Sequence, residues 1–115
     1  MGLFFSTAMD IIEICDYCLS LEGAEQTFPF GPDVMVFKVQ GKIFLLVPLD
    51  TRDLRFNVKC DPERAIELRE RHACVLPGYH MNKKYWNTVV VDGSIRTTEL
   101  KSWIDHSYEL VKKKA

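Results

Sequence analysis

Hydrophobic positions along the chain switch between helical and strand periods, and the switches lay out the elements. In residues 7–21, Ala8, Ile11, Ile12, Cys15, Cys18 and Leu19 recur at helical spacing. Ser6 or Thr7 can cap this helix, Asp10 can meet the exposed amides of its first turn, and Gly23 supplies the stop. Phe28-Pro29-Phe30-Gly31-Pro32 cannot continue a helix, and its two prolines bar it from a central strand. It reads as a rigid loop that inserts a phenylalanine beneath a sheet. Residues 34–39 and 43–49 are β-rich runs flanking Gln40-Gly41, a hairpin signal. Residues 54–59 alternate Leu54, Phe56 and Val58 against Arg55, Asn57 and Lys59, the pattern of a strand wet on one face.

Asp61-Pro62-Glu63 then starts a helix, with Asp as cap, Pro at the first helical position and Glu in the first turn. Ala65, Leu68 and His72 form its inner stripe, flanked by Ile66 and Arg69. Val75-Leu76 and residues 85–91 predict further strands, the latter ended by the Asp92-Gly93 turn. The last helix runs over 97–113 with the cleanest stripe in the chain: Leu100, Trp103, Ile104, Tyr108 and Val111. Strand runs joined by hairpins predict an α+β protein, a two-layer antiparallel β-sheet with helices packed on it, in the order α-βββ-α-ββ-α. No repeat or linker interrupts it, so residues 1–115 read as a single domain.

Composition, 47% hydrophobic and 27% charged, is that of an ordinary globular domain and excludes disorder. Net charge is −1, but residues 1–33 hold six acids and no Lys or Arg. All 15 bases therefore lie in the remainder, against 10 acids, which permits a basic face. A pI near 6.3 speaks against tight, charge-driven coating of DNA, for which a basic domain is usual. No run approaches a membrane span, and the first residues lack the basic and apolar regions of a signal peptide. Met1-Gly2 with Ser6 fits the acylation pattern at three positions and reads as coincidence. A cytoplasmic protein is expected.

Candidate chemistry is sparse. Cys15, Cys18, Cys60 and Cys74 sit among apolar neighbours and read as reduced thiols. Cys15 and Cys18 share a helix face, but no second pair completes a zinc set, and a redox motif would open its helix. Core packing is expected, with no metal and no cofactor. His80, with Tyr79 and Lys83, could suggest a general base, yet no nucleophile, acid or glycine-rich loop accompanies it. Asp105 and His106 fall outside and beside the last helix's stripe, which predicts a solvated face.

The dozen residues from Pro77 to Thr88 (PGYHMNKKYWNT) stand apart. They interleave rings with cations, the ingredients of a nucleic-acid contact. If a strand runs through them, Lys84 and Trp86 share one face and Tyr85 and Asn87 the other. The expected contacts are Tyr79, His80, Asn82, Lys83, Lys84 and Trp86, joined by Lys38, Arg55 and Lys59 if those strands present a common face. The alternative for Trp86 is a cap on the edge of the core.

The same stretch resembles the signature of the MmcQ/YjbR family of small bacterial proteins. Cys18-Leu19-Ser20-Leu21 with Gly23-Ala24, Phe28-Pro29-Phe30-Gly31-Pro32-Asp33 with Val36-Phe37-Lys38-Val39, Asn57-Val58-Lys59-Cys60-Asp61-Pro62-Glu63, and Asp105-His106-Ser107-Tyr108-Glu109-Leu110-Val111 are similar to its blocks, in its order. The resemblance spans residues 9 to 113 and implies a two-layer fold likened to frataxin or secretion chaperones. It also implies a DNA-binding protein, and the lack of any catalytic motif makes a non-catalytic one the expectation. The alternatives are an adaptor for a protein or peptide partner and an enzyme with a small-molecule site near His80. No membrane partner is expected, and the residues do not specify an oligomeric state.

Overall fold

Short connections between β-rich runs force antiparallel pairing. A computed structural model describes residues 9–78 and 81–112. The elements are α1 (Ile11–Ser20), β1 (Ala24–Thr27), β2 (Val34–Val39), β3 (Lys42–Pro48), β4 (Arg55–Lys59), α2 (Pro62–Arg71), β5 (Val75–Pro77), β6 (Trp86–Val90) and α3 (Thr97–Val111). The six strands form one antiparallel sheet in the order β1-β2-β3-β4-β6-β5. Helix α2 carries the chain from β4 past one strand position, and β6 returns to fill that gap. The expected α+β fold holds, with a further short strand, β1, at the edge ahead of the expected three.

Local signals account for most boundaries. Gln40 and Gly41 both adopt positive φ, 53° and 77°, which matches the β2–β3 hairpin to the twist of its strands. Asp61 accepts from the Arg64 amide at 3.3 Å, with Pro62 opening α2. Asp10 is itself the N-cap of α1, accepting from Glu13 N at 2.8 Å, so the helix starts later than expected. The expected caps Ser6 and Thr7, with Ala8 and the acylation-like Met1-Gly2, lie outside the described residues, as does the expected end of α3 at residue 113.

All three helices pack on one face of the sheet. Phe37, Phe44, Phe56, Ile14, Leu100 and Ile104 are buried between the layers, as are Trp103 and Tyr108 from the expected stripe of α3. The Tyr108 ring meets Phe44 edge-on at 5.3 Å, and its hydroxyl donates to the Glu22 carbonyl. In α1 the inner stripe is Ile11, Ile14, Cys15, Cys18 and Leu21, whereas Ile12 and Leu19 are exposed. The loop at 28–32 also departs from expectation: Phe28 and Phe30 both stay exposed, because the three helices already fill the layer beneath the sheet.

One irregularity ties α3 to the sheet. Phe37 pairs with Leu45 but Lys38 with Ile43, so Phe44 is an extra residue, a β-bulge that turns Phe44 and Leu45 together into the core. Beyond Leu45↔Val58 and Leu46↔Asn57, no further β3–β4 pair forms. The Ser107 hydroxyl fills the gap, donating to Phe44 O at 2.6 Å and accepting from Lys59 N at 2.8 Å.

Cys18, Cys60 and Cys74 are buried, Cys15 is partly so, and none is bonded to another. Burial pushes the thiols of Cys15, Cys18 and Cys60 up, away from the reactive thiolate. Alkylation of the native protein at pH 8 is expected to modify Cys15 first and the other three only on unfolding. Mass spectrometry of the labelled protein checks this, and early labelling of Cys18 would contradict it.

Candidate functional site

The sheet's second face carries no helix among the described residues. One register row crosses it through all six strands: Thr27, Val36, Leu46, Asn57, Thr88 and Leu76. Its centre is buried although no helix covers it, with Asn57 8% and Thr88 1% exposed. The Thr88 hydroxyl donates to Asn57 Oδ1, linking β4 to β6 across this row. Above the row opens a cavity of about 650 Å³ with Leu46, Asn57 and Thr88 as floor. Phe30 and Met81 wall it, and Asp50 and Arg55 line it as well. Phe30 is 62% exposed, so its ring is accessible from solvent.

The strand alternation that separated Arg55, Asn57 and Lys59 from the core residues holds. Their face is not uniformly wet, because Asn57 is buried and the two cations are half-buried. Register brings four expected contacts onto this face. Lys59 pairs with Trp86, Arg55 with Val90, and Lys38 stands between Glu25 and Ile43. The cations differ in availability. Arg55 is held by Asp53 through two bonds, Nε to Oδ1 at 2.8 Å and Nη2 to Oδ2 at 2.9 Å. That hydrogen bonding lowers the Asp53 carboxyl from its usual range and neutralises much of the guanidinium's charge. Lys38 faces the acidic Glu25 across β1. Lys59 faces a ring.

Asn82, Lys83 and Lys84 form the exposed turn that leads into β6. Asn82 Oδ1 accepts from Lys84 N at 3.0 Å, and Asn82 O accepts from Trp86 N at 3.0 Å. Lys83 Nζ donates to Gly78 O at 3.3 Å. The expectation that Lys84 would share a face with Trp86 fails, because β6 begins at Trp86 and Lys84 still lies in the turn. Its ammonium instead sits 5.5 Å from the Tyr85 ring centroid. Trp86 is half-buried, between the contact and core-edge readings. The turn's base is closed by Gly78 N donating to Trp86 O at 2.9 Å. A Cβ at Gly78 would lie 2.7 Å from Trp86 Cβ and 2.9 Å from its carbonyl, so only glycine fits. Tyr79 and His80 lie outside the described residues. Phe30, Leu46, Asn57, Met81 and Thr88 were not singled out from the sequence as site residues.

Asp105 and His106 do not form a simple solvated face. The Tyr17 hydroxyl donates to Asp105 Oδ1 at 2.5 Å, and His106 Nε2 accepts from Asp61 N at 3.2 Å. Burial, and then the nearby Arg64 charge, lower the His106 pKa, with Asp61 opposing. The native state therefore binds this proton less readily than the unfolded chain. The stability it contributes is present above the unfolded value of about 6.5 and is lost as pH falls through the lower folded value. His106→Gln, whose oxygen can still accept from Asp61 N, is expected to flatten the fall in urea midpoint just below pH 6.5. An unchanged pH profile would contradict this assignment. Among the described residues no group of three or more His, Cys, Asp or Glu could hold a metal, and no helix is long and apolar enough to cross a membrane.

Comparison with known proteins supplies a context for this face. The YjbR family model matches residues 19–110. The YbdF protein of Escherichia coli O157:H7 is 39% identical over 94 residues, covering 81% of this chain and 76% of its own. The YjbR protein of Escherichia coli K12 is 34% identical over 101 residues, covering 88% and 86%. Among solved structures, a Deinococcus radiodurans protein of the DUF419 domain superposes with a TM-score of 0.86 at 36% identity, covering 97% of this chain and 84% of that one. A Pseudomonas syringae protein does so with a TM-score of 0.79 at 27% identity, covering 90% and 100%.

Proposed function

The chain belongs to the YjbR family, and on that premise we propose that it is a non-catalytic DNA-binding module that meets its partner with the helix-free sheet face and the 82–85 turn. The observation that supports this reading most is the pairing of Lys59 with Trp86. It sets a cation beside a ring on the helix-free face, next to a turn that adds Asn82, Lys83 and Lys84. Cations there meet phosphates, and the ring offers a stacking plane. The adaptor alternative through strand addition is less favoured by the edges. β5 has three residues and ends in Pro77, and β1 has four and includes the charged Glu25.

Because net charge is −1 and Arg55 is tied to Asp53, affinity is expected to be modest and to fall with salt. The test is a titration of the protein against duplex and single-stranded DNA at low and moderate salt. Saturable, salt-sensitive binding supports the reading. Absence of saturable binding to either form at low salt overturns it and leaves the face to a protein or peptide partner.

A further inference from the structure

We infer that the cavity above Asn57 and Thr88 is a binding site for a single uncharged nucleobase, so that the proposed DNA partner engages as an unpaired strand; the strand form of this inference rests on the DNA-binding reading. The cavity's chemistry narrows its occupant. At about 650 Å³ it falls within the ordinary size of small-molecule sites. Asp50 on its lining disfavours an anion, and Arg55, the one cation on the described lining, is already engaged by Asp53. A carboxylate or phosphate inside the cavity is therefore opposed by the local charge.

A wholly aliphatic occupant fits poorly as well. The bond from Thr88 uses the Asn57 oxygen, and among the described residues no bond uses the two N–H donors of that carboxamide, which an aliphatic group would desolvate without replacement. A flat, neutral molecule with accepting edge atoms satisfies both constraints. The exposed Phe30 ring provides a stacking surface on one wall and Met81 an adaptable contact on another. A nucleobase has this form, with π-faces for the wall and ring nitrogens or carbonyls for the amide. The phosphates of its strand would run outside the cavity, toward Lys59 and the 82–85 turn. A duplex keeps its bases stacked and paired, so only an unpaired or extruded base can enter.

Free nucleosides and a strand carry the same chemistry, and two arms separate them. In the first, the four deoxynucleosides are titrated into ¹⁵N-labelled protein while the Asn57 side-chain amide and the Leu46 and Thr88 backbone amides are followed by NMR. In the second, a short single-stranded oligodeoxynucleotide is titrated into wild type, Phe30→Ala and Phe30→Tyr. The expected result is saturable movement of the Asn57 amide with both ligands. Phe30→Ala should bind the oligodeoxynucleotide about 5- to 150-fold more weakly, the effect of one lost stacked ring. Its salt slope should be unchanged, and Phe30→Tyr should restore affinity. Oligodeoxynucleotide binding that leaves the Asn57 amide still and is indifferent to Phe30→Ala overturns the cavity assignment while sparing the DNA reading. Nucleoside binding at Asn57 without strand binding supports the cavity and overturns the DNA reading. No response to either ligand overturns both.

Discussion

Replacing Ser107 with alanine is expected to lower the free energy of unfolding by about 2–6 kcal/mol, since removing the hydroxyl strands two backbone groups at about 1–3 kcal/mol each. The hydroxyl is the sole polar atom that α3 sends between β3 and β4 among the described bonds, and it meets Phe44 O on one strand and Lys59 N on the other. Ser107 itself is fully buried, so water cannot readily take its place. Urea denaturation of wild type and Ser107→Ala measures the difference. A loss below about 1 kcal/mol, less than one stranded group, would mean that both groups find other partners. The variant also reaches the site, because Lys59, whose amide Ser107 fixes, is the residue opposite Trp86.

The second large effect concerns salt. If Lys59, Lys83 and Lys84 each neutralise one phosphate, changing all three to alanine should flatten the log–log salt dependence by about 2 on a single strand and about 2.7 on duplex. Affinity should fall alike for every sequence tested, since phosphate contacts carry no base information. Trp86→Ala should behave differently, weakening binding by about 1–3 kcal/mol with little change in slope. Because Trp86 is half-buried and abuts Gly78, its variant needs a matched denaturation curve. A triple lysine variant with an unchanged salt slope would move the phosphate path away from this face.

What the sequence made legible follows from where one force dominates. The inner stripe of helix α3, Leu100 to Val111, could be read because it has no competing phase, whereas the bonds of Asp105 and His106 beside it come from distant segments. In α1, Ile11, Ile12, Ile14 and Cys15 offer two overlapping stripes, and the choice depends on the sheet they meet. Strand β1, AEQT, has little strand propensity of its own; pairing with β2 makes it a strand. Phe28 and Phe30 look like core residues because hydrophobicity alone does not say which face of a sheet is already filled. The site was legible in halves. Alternation put Asn57 with Arg55 and Lys59, and the same period put Thr88 with Trp86. That the two sets face each other depends on β6 entering between β4 and β5, a long-range choice with no local signal. Asn57 and Thr88 were missed for that reason.

The closure of Gly78 onto Trp86 has a consequence for how this protein can change. It joins the two ends of the intervening segment to each other, by a backbone bond and by a contact that tolerates no side chain. The side chains of Lys83 and Lys84 are exposed between those two posts, so they can be exchanged with little effect on the strands below. The turn is thus a natural place for modularity: the scaffold is inherited whole, while Lys83 and Lys84 can be rewritten for a different partner.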